Sequence, residues 1–182
     1  MWPTPIRPMA RSYSYVGPPE IAAAADMTAP RAKVSNADDV RAWVDESSQD
    51  LDGNGSFTAT FIVDIDRQLW IADRRSEHVA CARGATVLSA GEITFTVSAR
   101  DVDAVYLTNQ STGYCPEPES WSAVANSLDS AGIGHPNSFD VQCIFRRCTC
   151  GQINIVKNSD YTCAVCDSQL APKWNFNSDS AT

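Results

Sequence analysis

Phe57-Thr58-Ala59-Thr60-Phe61-Ile62-Val63, followed by Asp64-Ile65-Asp66-Arg67 and then Leu69-Trp70-Ile71, is the stretch that decides the fold. Apolar residues alternate with small or polar ones through its first half, the period-two pattern of a strand that rests one face on a core. Its aromatic and β-branched content suits an extended, pleated backbone. The acidic break at Asp64-Ile65-Asp66-Arg67 reads as a chain reversal, which makes Leu69-Trp70-Ile71 the partner strand of a hairpin. Residues 78–82, 92–97 and 102–107 continue the pattern as short strands joined by turns, so this region reads as an antiparallel β-meander.

Helical signals flank the meander on both sides. Upstream, Ser35-Asn36-Ala37-Asp38-Asp39 supplies capping side chains and first-turn acids, and Val40, Trp43 and Val44 follow at helical spacing. Asp52-Gly53-Asn54-Gly55 is a turn cluster that ends this helix. Downstream, Pro116-Glu117-Pro118-Glu119-Ser120 opens a second helix with proline and acids where a helix start tolerates them. Trp121, Val124, Ala125 and Leu128 form its apolar face, and Gly132 is placed to cap its end. Two helices packed on an antiparallel meander make the fold class α+β.

The first twenty residues carry five prolines, Pro3, Pro5, Pro8, Pro18 and Pro19, so residues 1–34 read as a proline-rich N-terminal arm. Within it Ser12-Tyr13-Ser14-Tyr15-Val16 has the alternation of one added strand. Residues 35–146 then form the α+β domain, residues 147–176 a C-terminal zinc ribbon, and the small polar residues 177–182 a disordered tail.

The ribbon is read from its cysteines. Cys148-Thr149-Cys150-Gly151 and Cys163-Ala164-Val165-Cys166 are two close pairs separated by a hairpin-length insert. Zn2+ takes four soft thiolates at tetrahedral corners, and a short turn can offer two sulfurs to one ion. Cys143 is the alternative to Cys148, but it lies inside a strand pattern while Cys148 stands at its end. Residues 154–157 and 160–162 are expected as the strands of the intervening hairpin. Four thiolate ligands leave no open coordination position, so the zinc is expected to be structural. Cys163-Ala164-Val165-Cys166 as a redox pair would need a helix start to lower its thiol pKa, and none is read there. Trp174 and Phe176, just beyond the ribbon, are the obvious means of clamping it to the main domain.

Charge and cysteine usage restrict the partners. A formal net charge of -8 leaves no positive field for a phosphate backbone, and the basic pairs Arg74-Arg75 and Arg146-Arg147 read as solvated arginines. No run reaches the roughly 18 apolar residues of a membrane span, and no export signal is read at the N-terminus. The expected compartment is a reducing cytoplasm, where seven cysteines serve as ligands or buried thiols, with Cys81, Cys115 and Cys143 left over.

Residues 145–176, ending on Trp174-Asn175-Phe176, resemble the C-terminal zinc ribbon of a group of uncharacterised bacterial proteins. In those the ribbon likewise follows a segment similar to Asn109-Gln110-Ser111-Thr112-Gly113-Tyr114-Cys115-Pro116. Ala90-Gly91-Glu92 together with that run also resembles a module at the ends of some large secreted or toxin-like bacterial proteins. There the run is closer to Asn-x-Ser-Gly-His-Tyr, and the histidine is missing from Thr112-Gly113-Tyr114. The resemblance covers residues 76–176 and implies a four-cysteine ribbon but no particular reaction.

Outside the ribbon, His78, Glu92, Asn109, Ser111 and Tyr114 fall near the ends of neighbouring expected strands, with Cys115 beside them. Converged on one patch they would make a ligand pocket, or a hydrolytic or transfer centre with His78 as base and Cys115 or Ser111 as nucleophile. Used for structure instead, Asn109 to Gly113 would be a hydrogen-bonded turn, Tyr114 a packing residue and Cys115 a buried thiol. With no complete catalytic set, the leading expectation is a cytoplasmic zinc protein that works as a protein-interaction module. Its partner is then another protein, neither bulk nucleic acid nor a membrane. The alternative is an enzyme or small-ligand-binding domain built on His78, Glu92 and Tyr114.

Overall fold

The computed structural model describes residues 10–176. In chain order these form α1 (Pro19–Ala24), β1 (Arg31–Val34), α2 (Ala37–Glu46), β2 (Ser56–Asp64), β3 (Leu69–Asp73), α3 (His78–Cys81), β4 (Val87–Val97) and β5 (Val102–Leu107). A 3-10 turn, Pro118–Ser120, runs into α4 (Trp121–Ala131), and β6 (Ile144–Arg147) and β7 (Ile153–Val156) follow. The fold is α+β. Strands β1 to β5 make one sheet in the order β1-β3-β2-β4-β5, antiparallel throughout, so the β2–β3 hairpin is turned outward and β4 returns along the inner side of β2.

The alternation in β2 sorts its side chains onto two faces. Phe57, Ala59, Phe61 and Val63 meet Leu69, Ile71, Ile93 and Phe95, and this face is covered by Val40 and Trp43 of α2 and Val124 and Leu128 of α4. Ile62 points the other way and joins Ala72, Val87 and Ala90 under Tyr13, Val79, Cys81 and Tyr114. Both faces of the sheet are therefore occupied over the β3 end of β2, and Phe61-Ile62-Val63 is a continuous apolar run for that reason.

The helix boundaries follow local chemistry. Asn36 Oδ1 accepts from the Asp38 and Asp39 amides at 2.8 and 3.2 Å, and Asp39 Oδ2 accepts from the Asn36 amide at 3.2 Å, closing a capping box. Gly132 ends α4 in the left-handed region at φ 66°. In the sheet, Gly91 allows the chain at Thr108 to approach β4: a Cβ there would lie 1.9 Å from the Thr108 carbonyl oxygen.

Two local expectations are corrected here, the strand at residues 78–82 and the hairpin within the ribbon. Residues 78–82 are a short helix rather than a strand: Val79, Ala80, Cys81 and Ala82 are all buried in succession, so no exposed face exists for an alternating strand. The strand expected at residues 12–16 is a single bridge, and further along the arm Arg31–Val34 is a strand of the sheet. Tyr13 exchanges backbone hydrogen bonds with Val87 at 2.7 and 2.9 Å, Pro19 opens α1, and Arg31–Val34 is the edge strand paired with β3. Residues 1–9 and the tail 177–182 lie outside the described residues. In the ribbon, β7 pairs back onto β6, with Ile144 opposite Val156 and Arg147 opposite Ile153, while the expected 154–157/160–162 hairpin shrinks to one bridge between Lys157 and Asp160.

The ribbon is seated on the domain. Phe145 and Phe176 pack with Cys115 and Cys143, and Trp174 spans this cluster and the one under the sheet. Arg146 is 4% exposed and donates to Glu117 Oε1 at 2.7 Å, to the Phe145 carbonyl at 2.7 Å and to the Pro172 carbonyl at 3.1 Å. The expectation of a solvated Arg146 is thereby corrected: its guanidinium forms a buried ion pair between β6 and the start of the α4 region. Among the described residues no helix is long and apolar enough to cross a membrane.

Candidate metal centre

Two turns closed by the same hydrogen bonds bring the cysteines together. In the first, the Cys148 amide donates to the Gln152 carbonyl at 2.8 Å and the Gly151 amide to the Cys148 carbonyl at 2.9 Å. In the second, the Cys163 amide donates to the Ser168 carbonyl at 2.9 Å and the Asp167 amide to the Cys163 carbonyl at 3.1 Å. Each turn ends on a left-handed residue, Gly151 at φ 92° and Asp167 at φ 58°. Glycine has no Cβ penalty there, and aspartate is among the few other residues that accept it. The first turn reaches the same closure with one residue fewer between its cysteines.

The four Sγ atoms of Cys148, Cys150, Cys163 and Cys166 all lie within 4.8 Å of one another. Cys148 and Cys166 approach to 3.4 Å and Cys150 and Cys163 to 3.8 Å, each contact crossing from one turn to the other. These separations are far above the roughly 2.05 Å of a disulfide. They bracket the roughly 3.8 Å that four zinc–sulfur bonds of about 2.3 Å impose between tetrahedral corners. Cys143 stays in the cluster with Phe145 and Phe176, so the first cysteine of the four-sulfur cluster is Cys148.

Groups around the sulfurs favour the thiolate at Cys163 and Cys166. The backbone amides of Val165 and Cys166 hold the Cys163 thiol down at about 6. The Ser168 hydroxyl and amide lower Cys166. The Gln152 amide also lowers Cys150, but hydrogen bonds shared with the neighbouring cysteines, together with desolvation, outweigh it and carry that thiol to about 11. Asn154 fixes the second turn from outside: its Nδ2 lies 3.6 Å from Cys163 Sγ and its Oδ1 accepts from the Ala164 amide at 3.0 Å. Such outer contacts orient ligands and hold their charge. The arrangement can therefore hold one divalent ion that prefers sulfur, with every tetrahedral corner taken by protein.

No protein-family model, curated protein or solved structure matches the chain.

The other candidate residues stand outside this cluster, with their polar groups taken up in structural contacts. The half-buried His78 has Nε2 3.0 Å from the Gly91 carbonyl, and burial lowers its pKa. Glu92 pairs with Arg74 at 3.4 Å. Asn109 is fully buried: Nδ2 donates to the Pro116 and Cys143 carbonyls at 2.8 Å each, and Oδ1 accepts from the Cys143 amide at 2.6 Å. Ser111 Oγ accepts from the Tyr114 amide at 3.3 Å, and the Tyr114 hydroxyl donates to the Ala85 carbonyl at 2.8 Å. Cys115 is buried and its thiol is pushed up to about 12, mainly by desolvation. None of these residues lines the 610 Å³ cleft between residues 47–58 and Asp73, Arg74 and Arg75.

Two contributors were invisible in the sequence. Asn154 carries no signal of its own, because a lone asparagine in a strand pattern does not show that its amide reaches Cys163 and Ala164. Glu117 has the place of a first-turn acid in the sequence, and nothing in the chain links it to Arg146 before the fold does.

Proposed function

We propose that this chain is a non-enzymatic, cytoplasmic protein-interaction module whose C-terminal ribbon is held by one structural Zn2+. The observation that carries the reading is the set of four sulfurs at tetrahedral spacing, contributed by two equivalent turns, with no corner left for water or substrate. Four thiolates suit zinc or iron among the common metals. Zinc is the choice here because a purely structural role needs no redox chemistry. Metal binding energy then serves as folding energy for residues whose own core is little more than Val156, Leu170 and the cysteines.

Two features support interaction over catalysis. The polar residues nearest to a catalytic set are consumed by structural hydrogen bonds. In contrast, Val105 and Tyr106 of edge strand β5 are 47% and 43% exposed, and a bridge between Thr108 and Val141 sets exposed Val141 near the end of that strand. Exposed apolar groups gathered at a sheet edge suit a protein partner better than a small polar ligand.

Cys163→Ser tests the metal half: zinc content should fall well below one per chain and the ribbon's protease resistance should be lost, while the β-sheet signal persists. Affinity capture compared between the wild-type chain and the double variant V105E/Y106E tests the partner half. Identical captured proteins from both, with both folded, would remove β5 as the interaction edge.

A further inference from the structure

Each of the two short sulfur contacts joins an exposed cysteine to a buried one. Cys150 and Cys166 are exposed, whereas Cys148 and Cys163 are buried. Cys150 meets Cys163 at 3.8 Å and Cys166 meets Cys148 at 3.4 Å. Each pair thus places an accessible sulfur against a sheltered one from the opposite turn. The surroundings leave the accessible pair open: Thr149, Gly151, Ala164 and Ser168 are exposed, and Val165, between two ligands, is 67% exposed. The remaining cysteines are different. Cys81, Cys115 and Cys143 are all buried, and desolvation pushes Cys81 and Cys115 up to about 12, so they are protonated and sheltered at neutral pH.

We infer that the four-sulfur centre is an oxidant-reactive site, in which Cys150 and Cys166 are oxidised by a hydroperoxide and the buried Cys163 and Cys148 close two disulfides across the turns, releasing the zinc. The inference rests on the zinc reading above. In each half, the exposed cysteine, a thiolate by virtue of ligating the zinc, attacks one peroxide oxygen, the O–O bond breaks, and hydroxide leaves, giving a sulfenic acid. The buried thiolate then attacks that sulfur, the S–O bond breaks, and a second hydroxide leaves. Two sulfurs lose two electrons in all and one hydrogen peroxide gains them, so about two peroxides consume all four thiolates of one site. The sulfur pairs need to close by less than about 2 Å to reach disulfide length. Neutral disulfide sulfurs are poor zinc ligands, so the ion leaves and the site becomes a record of oxidant exposure.

The test uses the purified full-length chain, with zinc content measured first. Hydrogen peroxide is added stepwise, released zinc is followed with a chromogenic chelator, and disulfides are mapped by non-reducing peptide mass spectrometry. The expected result is release of bound zinc with about two peroxides per ion, Cys148–Cys166 and Cys150–Cys163 linkages, and recovery of zinc binding after reduction. Zinc retained with intact thiols under excess peroxide overturns the inference but leaves the zinc reading standing. Linkages within a turn, or loss of Cys81, Cys115 or Cys143 before zinc release, overturn it as well. Protein that carries no zinc at the outset, after expression with zinc and reductant, overturns both.

Discussion

Replacing Trp174 by alanine should destabilise the whole protein, because that one ring joins three parts of the chain. Its Nε1 donates to the Cys115 carbonyl at 2.8 Å, its ring meets Tyr13 edge-on at 5.6 Å and Phe176 at 5.5 Å, and the Arg11 guanidinium sits 4.8 Å from its centroid. Truncating a fully buried tryptophan costs about 3–5 kcal/mol. Trp174 is half-buried, which brings the packing loss to roughly 2 kcal/mol, and the lost hydrogen bond adds about 1 kcal/mol. A total near 3 kcal/mol corresponds to a fall in Tm of about 6–12 °C for a chain of this size. Trp174→Phe keeps a ring and loses the N–H, leaving the Cys115 carbonyl without that donor, so its Tm should fall by only about 2–4 °C. Calorimetry with far-ultraviolet circular dichroism on the three proteins gives the comparison. A main transition unmoved by Trp174→Ala, with a separate small transition for the ribbon, would refute the clamped arrangement.

Asn109→Ala should be at least as damaging, because it strips three buried backbone groups of their partners, at about 1–3 kcal/mol for each group left unsatisfied. A folded variant with Tm within about 2 °C of wild type would show that Asn109 is not the structural pin described above. Stability should also depend on pH at both ends. Burial raises the Cys81 and Cys115 thiols from 9.0 to about 12, so their contribution is present in full below the unfolded thiol value and is lost as pH rises above it. His78, lowered from 6.5 by burial, acts in acid: below that value the unfolded chain binds a proton that the folded chain refuses, and stability falls. The urea midpoint should therefore climb through neutral pH, because the lowered Cys163 and Cys166 thiols add to the His78 effect, and drop above about pH 9; a midpoint still rising at about pH 10 would contradict the burial of Cys81 and Cys115. Finally, with a net charge of -8, the chain should show no tight, salt-sensitive binding to random duplex DNA in a mobility assay.

The sequence revealed those parts of the fold where local chemistry and tertiary packing agree. Alternation in residues 57–63 and the acidic break after it became β2, its turn and β3, and the proline-acid start and Gly132 end of the second helix became the 3-10 turn and α4. Agreement failed where a segment was too short to show a period. His78-Val79-Ala80-Cys81 reads equally as strand or helix until the sheet beneath it buries three consecutive side chains. Arg31-Ala32-Lys33-Val34 became an edge strand only because β3 offered a free side. In the ribbon, the spacing of Cys148, Cys150, Cys163 and Cys166 was sufficient to identify the cluster, since two thiols in a short turn can point only a short distance apart. What holds that cluster in place, Asn154 against Cys163 and Arg146 against Glu117, depends on contacts distant in sequence and left no trace in spacing.

The most direct measurement is the metal content of full-length protein expressed with ample zinc and purified under reducing conditions, read by elemental analysis on the monomer basis. Four sulfurs within 4.8 Å of one another predict close to one zinc per chain, lost together with the ribbon's protease resistance on prolonged chelation. Protein that is folded and free of zinc, with its four ribbon thiols all titrating as free cysteines, would contradict the account.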